Sequence, residues 1–175
     1  MKNKTVMKNG KELPKRKPTR LKGFDYSQSG AYFVTICTQN RRNILSAIAV
    51  GEGSPLPRLS RYGEITQHFI CKLPVKYPEI SVDRYVIMPN HIHLLLSISA
   101  SNGRGNPSPT VDTVIGWLKY QATKEINAAT NTCGEKIFQR SFHDHIVRNY
   151  DDYCEISRYI YENPTRWRHD QFYTE

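Results

Sequence analysis

The sequence predicts an α+β fold, one antiparallel sheet backed by helices, and three observations carry that prediction. Runs rich in β-branched and aromatic residues mark strands at 31–38, 80–88, 91–99 and 142–147. Apolar residues at helical spacing mark helices at 62–77, 110–128 and 149–163. The dipeptide Pro89-Asn90 has turn chemistry and joins the second and third strands as antiparallel neighbours.

Residues 1–22 carry nine basic side chains and one acidic one, so they hold +8 of the chain's net charge of +9. Two prolines, little apolar content and no periodicity predict a disordered basic arm there, ahead of a single domain over residues 23–175. Such an arm suits a polyanion, because neutralising phosphates releases counterions without demanding shape. Lys15, Arg16, Lys17, Arg20 and Lys22 are its candidate DNA contacts. A tail that serves only solubility is the alternative.

After the strand at 31–38, a short apolar run followed by Gly51, Gly53 and Pro55 predicts a hairpin-like excursion over residues 43–57. The helix at 62–77 places Ile65, Phe69, Ile70 and Leu73 on one face and stops before Pro78. Residues 101–109 read as a polar loop. The helix at 110–128 then buries Val114, Trp117, Leu118 and Ile126. This order of elements is compatible with a ferredoxin-like sandwich.

Composition excludes several classes. No apolar run is long enough to span a bilayer, and the lysine-rich start has no hydrophobic segment behind it, so no membrane role and a cytoplasmic location are expected. Cys37, Cys71, Cys133 and Cys154 are scattered without a Cys-x-x-Cys pair, which predicts reduced thiols and no zinc knuckle.

The most informative stretch is Met88-Pro89-Asn90-His91-Ile92-His93-Leu94-Leu95-Leu96. Strand side chains alternate, so His91 and His93 point one way and Ile92 points into the core. Two imidazoles on one strand face outline a divalent-metal clamp. An exposed polar pair inside an apolar strand is rarely idle.

A helix follows from Asn149, a cap, through Asp151 and Asp152, acids suited to its first turn, to Asn163-Pro164, which ends it. At about 100° per residue, Tyr153, Ile156 and Ile160 form the core stripe. Tyr159 and Asn163 share an edge one turn apart, while Tyr161 lies far around the helix. That edge can bring a nucleophile and a third metal ligand to the histidines, or Tyr159 can simply pack at the core margin.

Three segments carry a family resemblance: Met88-Pro89-Asn90-His91-Ile92-His93, Gln139-Arg140-Ser141-Phe142-His143-Asp144-His145, and Tyr159-Ile160-Tyr161-Glu162-Asn163-Pro164. With the upstream blocks at 26–38 and 59–65, they resemble the single-tyrosine transposases of the HUH nuclease superfamily, and among these the REP-associated tyrosine transposases of bacteria. The likeness spans most of the chain from about Leu21 onward. It implies the HUH form of the ferredoxin-like fold and a nucleophile at Tyr159. It also implies a divalent ion, Mg²⁺ or Mn²⁺, held by His91, His93 and Asn163. The implied reaction cuts single-stranded or hairpin DNA, leaving a 5′-phosphotyrosine and a free 3′-OH, in transposition or repeat mobilisation. A monomer and a homodimer are both compatible with it.

Other residues stay open. Glu155, one turn before Tyr159, competes with Asn163 as the third ligand. His143 and His145 form a second His-x-His that can lie near the site. Lys119, Arg140, Arg148 and Arg158 are further candidate phosphate contacts. Two alternative functions remain: a paired-histidine phosphoesterase, and a non-catalytic module that binds single-stranded nucleic acid. The first resembles proteins with His-x-Thr or His-x-Ser pairs, and neither His-x-His here supplies the hydroxyl.

Overall fold

Strand alternation divides the central sheet into two unlike faces, and that division positions everything else. The computed structural model describes residues 29–48, 57–99 and 109–174, together with the backbone of Met7–Lys8 and Lys11–Glu12. The side chains expected of the basic arm, Lys15, Arg16, Lys17, Arg20 and Lys22 among them, lie outside the described residues. So do residues 49–56 of the excursion and 101–108 of the polar loop. Within the arm, Met7–Lys8 pairs with Lys11–Glu12 as a two-residue ladder.

The sheet has four strands: β1 (Gly30–Cys37), β4 (Ile80–Ile87), β5 (His91–Ile98) and β6 (His143–Val147). They lie in the order β4-β5-β1-β6, and every neighbouring pair is antiparallel. β1 and β4 flank β5, so the chain between them makes the split β-α-β of the ferredoxin-like sandwich. Two short strands, β2 (Ser46–Ala47) and β3 (Arg58–Leu59), pair at the base of the predicted excursion.

The expected helix at 62–77 forms as two pieces, α1 (Arg61–Cys71) and α2 (Leu73–Lys76). Pro74 explains the break, since it has no N–H to continue the ladder and is tolerated only in a first turn. The next helix, α3 (Val111–Ala129), starts at a Thr110 cap whose side chain accepts from the Thr113 N–H. α4 (Tyr150–Glu162) begins at the predicted Asn149 cap, whose Oδ1 accepts from the Asp152 N–H at 2.9 Å. At Asn163-Pro164 it tightens into a 3₁₀ segment, Asn163–His169.

Even-numbered residues of the two central strands, Tyr32, Val34, Ile36, Ile92, Leu94 and Leu96, pack under α1 and α3 in the main core. On the opposite face, Leu95 packs with Ile156 and Ile160 of α4, bordered by Phe33, Tyr153 and Tyr159. Both faces are covered, which is why β5 reads as an unbroken apolar run after its histidines. Each fully buried Leu or Ile contributes about 1.5–3 kcal/mol, so the α4 cluster is enough to seat this helix on the histidine face. Gly63 lets α1 approach the chain behind it: a Cβ there would sit 2.1 Å from the Leu45 carbonyl oxygen.

Candidate metal and nucleophile site

Register and pleat bring the site together. Thr35 of β1 lies opposite His93 of β5, and Cys37 lies opposite His91, all on the α4 face. The histidines were expected as an exposed pair, and the structure instead buries both, His91 at 0% and His93 at 1% exposure. The cover is the chain after α4. The Phe172 ring centroid lies 4.7 Å from that of His91, and Trp167 lies 6.0 Å from it.

Hydrogen bonding decides which nitrogens face the site. The Asn90 Nδ2 donates to the Phe172 carbonyl at 2.7 Å, and also reaches the Arg41 carbonyl and the Thr174 hydroxyl. Its Oδ1 must therefore accept, and at 2.9 Å it does so from His91 Nδ1–H. His91 Nε2 is left with its lone pair, 3.1 Å from His93 Nε2. His93 Nδ1 in turn pairs with the Thr35 hydroxyl at 2.9 Å.

Electrostatics keeps the pair neutral. Burial pushes His91 down to about 3, helped by the Arg41 guanidinium. His93 falls well below its ordinary value, first through burial and then through His91, with Asp170 opposing. Neutral imidazoles with inward nitrogens are the protonation state a metal ligand requires.

Tyr159 of α4 completes the constellation. Its hydroxyl lies 3.3 Å from His93 Nε2, and its ring packs edge-on against Phe33. Burial raises its pKa and the Asp170 charge raises it further, while a hydrogen bond from the Asn163 side chain acts the other way. Asn163, one turn on, is 2% exposed. Its Nδ2 donates to Asp170 Oδ2 at 2.9 Å, and its buried Oδ1 has no partner. An orphaned amide oxygen one turn from Tyr159, together with two imidazole nitrogens 3.1 Å apart, is a donor set that fits a divalent cation, which takes just such N and O donors. His91, His93 and Asp170 also offer ligand atoms that all lie within 4.8 Å of one another. A cleft of about 450 Å³ opens beside the pair, lined by Phe33, Thr35, His93, Asp152, Glu155 and Tyr159 among others.

Residues 26–163 match the family described as IS200-like transposases. The chain belongs to that family. An uncharacterized protein of Haemophilus influenzae is 28% identical to this transposase over 173 residues, spanning 91% of the chain and 94% of the relative. A REP-associated tyrosine transposase of Escherichia coli is 27% identical over 142 residues, 81% of this chain and 70% of that protein. A solved structure, described as a REP-associated tyrosine transposase bound to a REP hairpin, is similar in fold, with a TM-score of 0.55 at 23% identity. The match covers 84% of this chain and 73% of that one. The likeness to REP-associated tyrosine transposases, the ferredoxin-like sheet and a transposase role all agree with the motifs in the sequence. Among the described residues, no helix is long and apolar enough to cross a membrane.

Of the further site candidates in this IS200-like transposase, Glu155 is exposed on the cleft wall and stands outside the His91, His93 and Asp170 group. His143 pairs in register with Thr35, so it shares the site's sheet face, one strand further out on β6. His145 is paired instead with Asp152 of α4, Nε2 to Oδ2 at 3.0 Å. Arg140, Arg148 and Arg158 are exposed, while Lys119 is half-buried and donates to the Arg140 carbonyl at 2.8 Å. Sequence reasoning missed Asp170, Thr35 and the second role of Asn90. Asn90 sat in plain view inside the motif and was legible only as a turn residue. Asp170 follows the end of α4 in a stretch without periodicity, so no pattern pointed to it.

Proposed function

We propose that this transposase is a DNA strand-cleaving and strand-joining enzyme in which Tyr159 is the nucleophile and His91, His93 and Asn163 hold a divalent ion. The single observation carrying this reading is the convergence of the Tyr159 hydroxyl on His93 Nε2 at 3.3 Å, beside the His91–His93 nitrogen pair at 3.1 Å. A bound Mg²⁺ or Mn²⁺ would offset phosphate charge and polarise the scissile bond. Tyr159 then needs to do little but stay aimed, and Phe33 and the α4 core contacts hold its ring.

In the proposed step the phenol oxygen forms a bond to phosphorus and the P–O3′ bond breaks. The phenol proton passes to solvent, and the departing oxygen takes one up to become the 3′-OH. A 5′-phosphotyrosine remains. Because the phosphodiester is exchanged and not hydrolysed, the hydroxyl of another strand can reverse the reaction, so joining needs no ATP. Single-stranded or hairpin DNA is the proposed substrate, supported by the hairpin bound to the structural relative. Paired-histidine acid-base chemistry is less well supported, because both imidazoles are held neutral and neither has a hydroxyl two residues on.

The test is cleavage of an end-labelled single-stranded hairpin with Mg²⁺ or Mn²⁺, analysed on denaturing gels. A protein-linked 5′ product that vanishes in excess chelator is expected. Cleavage that persists in chelator, or cleavage without any covalent adduct, would sink the mechanism.

A further inference from the structure

We propose that Asp170 is a direct ligand of the divalent ion, a carboxylate supplied by the chain after α4 and added to His91, His93 and Asn163; this rests on the metal site proposed above. Three independent features place it there. A carboxylate oxygen of Asp170 falls within 4.8 Å of a ring nitrogen of each histidine. Its oxygens are pre-positioned: Oδ2 accepts from Asn163 Nδ2 at 2.9 Å and Oδ1 from the Phe172 N–H at 2.6 Å. Each oxygen retains a lone pair for a cation, since a carboxylate offers about four acceptor directions.

The segment carrying Asp170 is fixed to the site at several points. The Phe172 ring packs at a tilt against His91, its carbonyl accepts from Asn90, and the Arg41 guanidinium lies 5.0 Å from the Phe172 ring centroid. The hydrogen bond from Asn163 to Asp170 has a further effect. By engaging the amide nitrogen it leaves Asn163 Oδ1 as the group without a partner. One carboxylate thus contributes its own oxygen and orients the neighbouring amide to contribute another.

The chemistry of the donor set argues for the charge. Mg²⁺ and Mn²⁺ are hard cations that favour carboxylate oxygen, and a set of two neutral imidazoles and an amide offers no anion. With Asp170 included, four protein donors leave two of six positions for a phosphate oxygen and a water. That number suits an ion that must hold a substrate as well as its own protein.

The experiment measures Mn²⁺ binding to the full chain without DNA, by the loss of the free-ion electron paramagnetic resonance signal. Asp170→Asn keeps the shape and is expected to weaken binding at least about tenfold, the scale on which ligand-shell losses act. Asp151→Asn removes a charge from the exposed first turn of α4 and should bind as wild type. A ligand is separated from a positioning residue by Asp170→Cys in a Cys37→Ser background. Cd²⁺ should then produce a thiolate charge-transfer band in the ultraviolet that the Cys37→Ser protein alone lacks. Wild-type Mn²⁺ affinity in Asp170→Asn, an equal loss in Asp151→Asn, or no new band would each overturn the assignment. Failure of the cleavage reading is distinguishable, because a wild-type protein that binds Mn²⁺ through Asp170 yet forms no DNA adduct would overturn only the proposed reaction.

Discussion

Asn90 Oδ1 accepts from His91 Nδ1–H at 2.9 Å, and this contact sets the tautomer of His91. Since Asn90 Nδ2 is committed to the Phe172 carbonyl, the amide cannot reverse without placing oxygen against oxygen. The turn residue of the β4-β5 hairpin therefore also aims the lone pair of a proposed metal ligand.

Asn90→Ala should lose both functions at once. It leaves buried carbonyl and imidazole groups unsatisfied, at a cost of about 1–3 kcal/mol each. It also frees His91 to switch tautomer, and Mn²⁺ affinity should fall about 10–100-fold. Nitrogen-15 NMR of the imidazoles in the metal-free protein reads the tautomer directly. A wild-type Nδ1–H form persisting in the variant would show that another group orients His91.

The neutral histidines predict an acid sensitivity of the metal-free protein. The folded His91 titrates near about 3 and His93 well below its ordinary value, against about 6.5 for both when unfolded. Below pH about 6.5 the unfolded chain therefore binds protons that the folded chain refuses. Stability is complete above that pH and declines as pH falls toward about 3, by up to about 1.4 kcal/mol per unit for each histidine. Urea unfolding at about pH 7 and about pH 5 should show a steeper loss for wild type than for a His91→Gln/His93→Gln double variant. Equal losses would place the acid sensitivity in other groups.

Much of this arrangement was legible in the chain because it rests on local rules. Alternation put His91 and His93 on one face, the Asn149 cap and Asn163-Pro164 bounded α4, and the 3.6-residue period separated Tyr159 from the exposed Tyr161. What was not legible is non-local. The burial of the histidines depends on Phe172 and Trp167, which close over them from the far end of the chain. The pairing of His145 with Asp152 depends on how β6 meets α4, and the break before α2 turns on one proline. Asp170 reaches the site only because the 3₁₀ segment turns the chain back over the sheet, a path no periodicity records.

The basic arm should supply affinity and not chemistry. Its +8 charge is almost the whole net charge of the chain. Deleting residues 1–20 should weaken DNA binding and flatten its salt dependence, by roughly 0.7 in log–log slope for each phosphate no longer neutralised on a single strand. Binding isotherms across a salt series measure this. An unchanged slope would assign the arm to solubility.

Gly63 tests the packing behind the hairpin. Its absent side chain admits the Leu45 carbonyl, and a Cβ at 2.1 Å from that oxygen would force α1 outward. Gly63→Ala is expected to destabilise the fold by about 1–3 kcal/mol despite the better helix propensity of alanine. Thermal unfolding measures the loss. A variant as stable as wild type would mean that α1 can shift without disturbing the core.

The tyrosines of α4 give the sharpest test of the proposed chemistry, because the helix carries four of them, and besides the exposed Tyr150 at its start it presents three in different surroundings. Tyr153 borders the α4 core cluster, Tyr161 is 73% exposed, and Tyr159 alone of the three is hydrogen-bonded to His93. Tyr159→Phe removes the hydroxyl and keeps the ring against Phe33, so folding and DNA binding should persist while adduct formation drops below detection. Tyr161→Phe should retain nearly full activity, its side chain being directed to solvent. Tyr153→Phe should remain active too, since its ring packing survives the loss of the hydroxyl. Peptide mapping of the covalent product identifies the modified residue. DNA attached at Tyr161 or Tyr153, or an active Tyr159→Phe protein, would place the nucleophile elsewhere and remove the role proposed for the His93 contact.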